Sequence, residues 1–207
     1  MKVLPYGDRA LLVELADGEE ALALAAALRA DPPAALGDLV PAARTVLLVA
    51  EAGAPVAELR AALGRVEPAA AASAEAEVEV VEIPVVYDGE DLDDVARLTG
   101  LSPQEVVAAH TGQTWRVAFG GFAPGFGYLV GEDDRLHVPR RAESRTRVPR
   151  GAVALAGEYA GVYPRESPGG WQLIGRTDTA VFDLDREPAA LFRPGVRVRF
   201  ADLGEGS

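Results

Sequence analysis

The 207-residue sequence predicts an α+β, mainly β protein: a small N-terminal α+β domain (residues 1–74) and a C-terminal barrel or compact sandwich of short strands (residues 75–207). Three observations predict this class. Helical patterns occur only upstream of Thr114. Eleven of the 22 glycines fall within residues 120–175, where they separate short apolar runs as in small barrels. The low-complexity stretch Pro68–Ala74 predicts a linker, with a helix tail as the alternative.

The N-terminal part is predicted as strand, helix, strand, helix. Arg9–Leu15 has an apolar centre and follows a Gly-Asp turn, which predicts a strand. Residues 19–30 carry acids in their first turn, are rich in Ala and Leu and end at Asp-Pro-Pro, which predicts a helix. The apolar run Thr45–Ala50 predicts a buried strand, and residues 56–63 predict a short helix that ends before a glycine.

The C-terminal part begins with a strand and two helices and continues as short strands. Acidic and apolar residues alternate over Glu75–Val86, and this period of two predicts a strand with one wet face. Asp91–Leu98 predicts a short helix closed by a glycine, and the capping box Ser102–Glu105 opens a second helix that extends to about His110. Further strands are predicted from the apolar runs Trp115–Phe119, Val153–Ala156, Gln172–Ile174 and Val196–Phe200.

The composition argues against several classes of partner and site. The net charge of −12 disfavours nucleic acid and anionic membrane surfaces as partners. The absence of cysteine excludes disulfides, thiolate zinc sites, iron–sulfur clusters and cysteine nucleophiles, and with only two histidines we expect no metal site. We find neither a membrane-spanning apolar stretch nor a signal peptide, so the expected location is the cytoplasm.

A glycine- and aromatic-rich segment, Gly120–Leu129, is the first candidate site. Its glycines bring bare backbone amides next to Phe and Tyr rings, which suits the binding of an anion or a planar amide. It contains neither a Walker sequence nor a Rossmann fingerprint, so nucleotide binding does not follow. The alternative is a tight barrel corner that packs aromatic rings.

An arginine cluster within Pro139–Arg150 is the second candidate site. The guanidinium group matches carboxylate, carbamate or phosphate, which indicates anion or substrate binding. The alternative is a loop that neutralises the acidic strand or an acidic partner protein. The arginines of the cluster are Arg140, Arg141, Arg145, Arg147 and Arg150.

The third candidate region is Gly157–Arg176, in which a Pro-Gly-Gly turn precedes Trp171. Trp171 is expected in a pocket wall or in the core, and the core is the commoner place. His110 ends a predicted helix, where a histidine is more often structural than a proton shuttle. No Gly-x-Ser-x-Gly motif occurs, which weakens the case for serine–histidine–aspartate catalysis.

A family resemblance is carried, in chain order, by the segments Ile83–Gly89, Gly100–Ser102, Gly121–Phe126, Pro139–Arg141, Val148–Pro149, Gly161–Pro164, Ser167–Trp171 and Leu173–Thr177. Together they resemble the 5-oxoprolinase B-subunit family (the PxpB or KipI type, also called allophanate hydrolase subunit 1). The resemblance covers about residues 1–203 and is most specific over residues 119–177.

The resemblance implies a cyclophilin-like β-barrel in the C-terminal domain and a role as one subunit of a hydrolase complex, inactive alone. Such members pair with a second cyclophilin-like protein, the C subunit (PxpC or KipA type). With an A subunit of the LamB/YcsF type, they cleave the lactam 5-oxo-L-proline to L-glutamate and consume ATP. The family also implies two alternatives: a carboxyltransferase or allophanate-hydrolase-type subunit of urea metabolism, and a KipI-like inhibitor of a sensor histidine kinase.

For cleavage of the lactam, the resemblance implies an amide cradle together with arginines that hold an anionic intermediate. We expect catalytic roles for His110, as the proton shuttle, and for Arg141 and Arg145, as the anion-holding groups. The expected substrate-binding residues are Gly121, Pro124, Gly125, Phe126, Tyr128, Gly170, Trp171 and Arg176.

Two departures from the family pattern lie in or beside the arginine cluster. Ser144 precedes Arg145 where the family usually has proline, and the sequence Arg150-Gly151-Ala152 stands where the family usually has Ala-Gly-Ser. Arg150 adds a bulky cation and Ala152 lacks a hydroxyl donor, so both changes bear on the choice of substrate.

Overall fold

The computed structural model describes residues 1–66 and 80–204. The chain forms two compact units, residues 1–77 and residues 78–207. The predicted linker and the predicted domain boundary lie outside the described residues, as does the first part of the strand predicted over Glu75–Val86. Among the described residues, no helix is long and apolar enough to cross a lipid bilayer.

Within residues 1–66, the first unit is a four-stranded antiparallel sheet with two helices. Its elements are β1 (Lys2–Tyr6), β2 (Ala10–Glu14), α1 (Gly18–Ala30), β3 (Leu36–Pro41), β4 (Thr45–Ala50) and α2 (Val56–Leu63). The strands lie in the order β1-β2-β4-β3. The core joins the middle strands β2 and β4 to Leu24 and Leu28 of α1 and to Leu59 of α2.

The sequence did not predict β1 and β3, which are the two edge strands of this sheet. β1 contains Pro5, and β3 contains Gly37, Asp38 and Pro41, which are residue types typical of turns. An edge strand tolerates them because one side of its backbone has no ladder partner to lose. The predictions of the two middle strands and both helices are confirmed, because those elements carry the buried apolar pattern.

Within residues 80–204, the second unit is a seven-stranded sheet with two helices and a separate two-stranded ribbon. Its elements are β5 (Val80–Val85), α3 (Leu92–Thr99), α4 (Pro103–Thr111), β6 (Trp115–Gly120), β7 (Gly127–Val130), β8 (Arg145–Val148), β9 (Ala152–Ala156), β10 (Tyr159–Val162), β11 (Ser167–Gly169), β12 (Gln172–Arg176) and β13 (Arg197–Asp202). The ribbon pairs β8 with β11.

The large sheet is nearly closed into a barrel. Its order is β12-β9-β10-β7-β6-β13-β5, and its two edges meet at one bridge. Val86, directly after β5, exchanges two backbone hydrogen bonds of 2.9 Å with Arg176 at the end of β12. Closure removes free strand edges, which otherwise invite pairing with other chains. The predicted α+β, mainly β fold class is confirmed.

Four short strands of this unit, β7, β8, β10 and β11, were not predicted. Each has three or four residues, which is too short for a hydrophobic period to show. They are held by pairing with other strands: β10 lies between β7 and β9, and β8 pairs with β11. The tertiary context therefore decides these segments, and the local sequence does not.

The two helices of this unit begin and end where their capping residues indicate. Gly100, with a φ of +74°, closes α3 in the left-handed conformation. The hydroxyl of Ser102 accepts from the Glu105 N–H at 3.3 Å, and the Glu105 carboxylate accepts from the Ser102 N–H at 2.8 Å. The predicted capping box is confirmed, and it fixes the start of α4.

Candidate functional site

The glycine- and aromatic-rich loop connects β6 to β7 and is held by its own backbone hydrogen bonds. The Ala123 N–H donates to the Gly121 carbonyl at 2.6 Å, which closes a γ-turn around Phe122. The Phe126 N–H donates to Ala123 at 3.0 Å, and the Gly121 N–H donates to Phe126 at 3.2 Å. Three amides of the expected ligand cradle are thus engaged within the loop.

Phe122 has a strained backbone. Its φ is +63°, which is an uncommon value for an aromatic residue. Residues held in such sparsely populated regions cost of order 1–3 kcal/mol each and persist only where their surroundings fix them. The internal hydrogen bonds of the loop supply that restraint.

Glycine is required where the loop packs against rings. Gly125 has a φ of +81°, and a Cβ there would overlap the Cβ of Phe182. At Gly161, in β10, a Cβ would lie 2.9 Å from Cζ of Phe126 and 3.1 Å from Cζ3 of Trp171. The glycines therefore allow backbone and aromatic rings to approach closely.

Phe126 is the centre of an aromatic cluster. Its ring makes edge-to-face contacts with Phe122, Tyr128, Tyr163 and Trp171, at centroid distances of 5.2–5.4 Å. Such pairs contribute about 0.5–1.5 kcal/mol beyond the area they bury. Phe126, Tyr163 and Trp171 are buried, whereas 58% of Phe122 is exposed. The loop thus exposes the Phe122 ring, which packs on buried aromatic rings of the cluster.

Tyr163 connects the aromatic cluster to the arginine cluster. Its hydroxyl accepts a hydrogen bond from the backbone N–H of Trp171. Burial raises the pKa of Tyr163, and the nearby charges of Arg140 and Arg145 partly oppose that increase. The phenol is therefore neutral at physiological pH and lies within electrostatic reach of two guanidinium groups.

Asp91 joins the arginine cluster to the start of α3. It is the N-cap residue of that helix, but its carboxylate makes no capping hydrogen bond. The carboxylate instead accepts from Arg141, from both terminal nitrogens of Arg145 at 2.8 and 2.9 Å, and from the Leu173 N–H at 2.7 Å. Arg145 also donates to Glu90 at 3.0 Å. Asp91 is thus a buried and fully hydrogen-bonded anion.

The pKa of Asp91 reflects two opposing effects. Burial by itself raises the pKa of the carboxyl group, but hydrogen bonds from Arg145 and from the Leu173 N–H, with the charges of Arg145 and Arg141, lower it below its usual value. Hydrogen bonding to Asp91 in turn raises the pKa of Arg145. Both side chains are charged at neutral pH, and in this conformation Arg141 and Arg145 are committed to Asp91.

His110 lies in the core of the second unit with no exposed surface. Its Nδ1 shares a hydrogen bond of 2.7 Å with the Tyr87 hydroxyl, and its ring lies 4.2 Å from that of Phe200 and 5.0 Å from that of Trp115. Burial lowers the pKa of His110 to about 3. A neutral, enclosed imidazole has no access to a bound substrate in this conformation, so its place is structural.

The buried state of His110 predicts a pH dependence of stability. The pKa of an unfolded histidine is about 6.5, so acid first protonates the unfolded chain. The contribution of neutral His110 to the unfolding free energy is fully present above pH 6.5 and is lost as the pH falls toward 3. We expect the unfolding free energy to fall by about 2 kcal/mol between pH 8 and pH 5. Urea unfolding followed by tryptophan fluorescence measures it, because both tryptophans belong to this unit.

The matched variants for this prediction replace the two histidines of the chain one at a time. His110→Gln should lose the slope between pH 8 and pH 5, and the exposed His137→Gln should retain it. Equal slopes in both variants would contradict the assignment.

The remaining predicted substrate-binding residues fall into two places. Gly170 lies beside the arginine cluster: its carbonyl accepts from the Arg141 N–H at 2.8 Å. Arg176 lies at the opposite end of β12 from Trp171, roughly 16 Å away at the usual rise of a strand. There it donates to Asp88 at 2.8 Å and lines a separate groove of about 740 Å³. The predicted residues brought together at the loop or beside the arginines are Gly121, Pro124, Gly125, Phe126, Tyr128, Gly170 and Trp171.

The departures from the family pattern have different environments. Ala152 is buried among the residues that pack beneath the aromatic cluster. Arg150 is exposed, and Ser144 lies against Gly170, where a Cβ would come within 2.8 Å of the Ser144 Oγ.

No local pattern indicates the role of Asp91, because the residues that surround it are 50 to 82 positions away. The sequence indicates Phe122 only as a member of the segment Gly120–Leu129, and Arg140 only as a member of the arginine cluster. Within residues 1–66 and 80–204, no group of three or more His, Cys, Asp or Glu side chains is arranged to hold a metal ion.

Comparison with known proteins identifies the family. Residues 1–192 match the family described as carboxyltransferase domain, subdomain C and D. The chain is 49% identical over 135 residues to the 5-oxoprolinase B subunit of Escherichia coli O157:H7, a segment covering 64% of this chain and 62% of that protein. It is 46% identical over 129 residues to the 5-oxoprolinase B subunit of Bacillus subtilis, covering 61% and 54%. The chain thus spans less than two thirds of these relatives.

More distant relatives share part of the sequence or the fold. The urea amidolyase of Saccharomyces cerevisiae is 30% identical over 122 residues, which cover 56% of this chain and 7% of that protein. The crystal structure of TTHA0988 matches with a TM-score of 0.78 at 41% identity, over 96% of this chain and 40% of that chain. The K. lactis urea amidolyase matches with a TM-score of 0.75 over 98% and 15%, and its 20% identity indicates a shared fold alone. The chain therefore belongs to the carboxyltransferase domain, subdomain C and D, family, and within it to the 5-oxoprolinase B-subunit family.

Proposed function

We propose that this chain is the B-type subunit of an ATP-dependent 5-oxoprolinase, which opens 5-oxo-L-proline to L-glutamate with subunits of the A (LamB/YcsF) and C (PxpC/KipA) types. The observation that carries the proposal is the identity of 46–49% to relatives named as 5-oxoprolinase B subunits. The activity is proposed for the assembly, and the chain alone is proposed to be inactive.

The chemistry requires activation of a stable amide. In the proposed route the lactam oxygen attacks the γ-phosphorus of ATP, and ADP leaves. A first water adds to the activated carbon, the ring C–N bond breaks and the nitrogen takes a proton, which leaves a γ-glutamyl phosphate. A second water releases phosphate. One ATP and two waters therefore give glutamate, ADP and phosphate, and the anionic intermediates suit a site that carries guanidinium groups.

The predicted catalytic groups are engaged inside the chain in this conformation. Arg141 and Arg145 are engaged by Asp91, and His110 is enclosed in the core. In these positions the three residues can hold a binding surface in place, but they are poorly placed to transfer a proton to a substrate. The proposal therefore assigns phosphoryl transfer and ring opening to the assembled complex.

The experiment is co-expression of the full chain with candidate A and C subunits, followed by purification of the assembly. With ATP and 5-oxo-L-proline, we expect one ADP for each glutamate formed, and no ADP with urea. Turnover with urea and bicarbonate plus a biotin carboxylase, in the absence of turnover with 5-oxoproline, would contradict the proposal.

The second candidate is a carboxyltransferase-type subunit of urea metabolism. The family description and the 30% identity to yeast urea amidolyase favour it. It predicts the opposite substrate preference in the same assay, so one experiment separates the two functions.

A further inference from the structure

Two exposed side chains lie above the buried groups of the candidate site. Phe122 is 58% exposed and contacts the Tyr163 ring at a centroid distance of 6.0 Å. Arg140 is exposed, and its two chain neighbours are hydrogen-bonded to the residues that flank Trp171: the Arg141 N–H donates to the Gly170 carbonyl at 2.8 Å, and the Gln172 side chain donates to the Pro139 carbonyl at 3.2 Å. Tyr163 and Trp171 are both buried, so the exposed Phe122 ring contacts one member of the aromatic cluster and the Arg140 backbone lies beside the residues that flank another.

The backbone conformation of Phe122 costs free energy on folding. Its φ of +63° is unfavourable for a residue with a Cβ, and the exposed part of its ring remains in water. The loop nevertheless fixes this conformation with three internal hydrogen bonds and the packing of Gly125 on Phe182. Strain that the surroundings hold in place at an exposed position is typical of sites that contact a ligand.

We propose that Phe122 and Arg140 are the substrate-contacting residues of this chain. The exposed face of Phe122 packs against the ring of a planar cyclic amide, and Arg140 pairs with the carboxylate on that ring. The rings of Phe126 and Tyr163 contact the Phe122 ring, and Trp171 packs against Phe126. This inference deepens the proposed function and rests on it.

The chemistry of the two side chains matches such a ligand. 5-Oxoproline has a nearly flat five-membered amide ring with a carboxylate on the carbon next to nitrogen. A flat aromatic face stabilises the ring, and an exposed guanidinium matches the carboxylate. Arg141 and Arg145 are already occupied by Asp91 and Arg147 pairs with Glu166, whereas Arg140 is exposed directly next to Arg141.

The kinetic experiment uses the reconstituted assembly with ATP and 5-oxo-L-proline. For Phe122→Ala and for Arg140→Gln we expect KM for 5-oxoproline to rise about tenfold or more, while kcat and KM for ATP change less than threefold. The matched controls are Leu98→Ala, an exposed apolar residue of α3, and Arg199→Gln, an exposed arginine of β13, and both should keep the wild-type KM.

A second measurement tests the strain with the full chain alone. Glycine accepts a positive φ and alanine does not, so Phe122→Gly should melt at least about 2 °C above Phe122→Ala. Equal melting temperatures would overturn the strained conformation on which the inference depends.

The outcomes separate the inference from the proposed function. A wild-type assembly that turns over 5-oxoproline, with KM unchanged in Phe122→Ala, overturns the inference alone. Failure of Phe122→Ala to join the assembly, measured by size-exclusion chromatography with light scattering, assigns the ring to a partner and also overturns it. An assembled wild-type complex with no turnover of 5-oxoproline overturns the proposed function and the inference with it.

Discussion

Replacing Asp91 with alanine should lower the free energy of unfolding of the second unit by about 3–5 kcal/mol, the usual cost of removing one partner from a buried ion pair. The expected loss is large because the Asp91 carboxylate accepts four hydrogen bonds while only 2% exposed. Without it, Arg141 and the Leu173 N–H lose their hydrogen bonds to the carboxylate, and Arg145 keeps only its hydrogen bond to the exposed Glu90 among those described above. Urea unfolding at pH 7, followed by tryptophan fluorescence, measures the change.

The matched control is Asp94→Ala on the same helix. Asp94 pairs with Arg97, and both side chains are largely exposed. Exposed pairs contribute about 0–1 kcal/mol, so this variant should unfold close to wild type. Both variants should be measured at neutral pH. Because the pKa of Asp91 is lowered in the folded chain, its contribution to the unfolding free energy is fully present above the pKa of an unfolded carboxyl group and is lost as acid protonates the folded carboxylate. A loss in Asp91→Ala no larger than that in Asp94→Ala would contradict the central place of this network.

Gly125→Ala should also destabilise the second unit, by about 2–4 kcal/mol, because two costs add. A Cβ at this position would overlap Phe182, and overpacking costs about 1–3 kcal/mol. The φ of +81° adds about 1 kcal/mol for a residue other than glycine. The movement of the loop should also displace Phe122, so turnover by the assembly should fall with stability.

Gly157→Ala separates these two costs. Gly157 has a φ of +60°, but nothing lies within 4 Å of a Cβ built there. The backbone cost alone remains, and we expect a loss of about 1 kcal/mol. Urea unfolding of both variants gives the comparison. Equal losses would show that Phe182 yields to the added methyl group and that the loop packs loosely against it.

Local signals in the sequence predicted the elements that carry their own capping or apolar pattern. The capping box at Ser102, the glycine stop at Gly100 and the buried run Thr45–Ala50 needed no information from elsewhere in the chain. The edge strand Leu36–Pro41 was missed because its Gly, Asp and Pro resemble a turn, and only its pairing with a neighbour makes it a strand.

The candidate site was located by its motifs, but the roles inside it depend on contacts between distant residues. Arg145 was predicted to hold a substrate anion, yet its guanidinium is engaged by Asp91, 54 positions earlier in the chain. His110 has the pattern of a helix-terminal histidine, and only the packing of Trp115 and Phe200 shows that it is enclosed. Phe122 is exposed and Phe126 is buried, but the sequence motif alone does not distinguish the two phenylalanines.

The most direct test of the proposed function is to add the purified full chain to a mixture of the candidate A and C subunits and to measure glutamate from 5-oxo-L-proline and ATP. We expect no glutamate without this chain, and activity that rises with added chain and saturates at a fixed molar ratio. Full activity of the A and C subunits alone, or none after a stable three-part complex has formed, would contradict the proposed function.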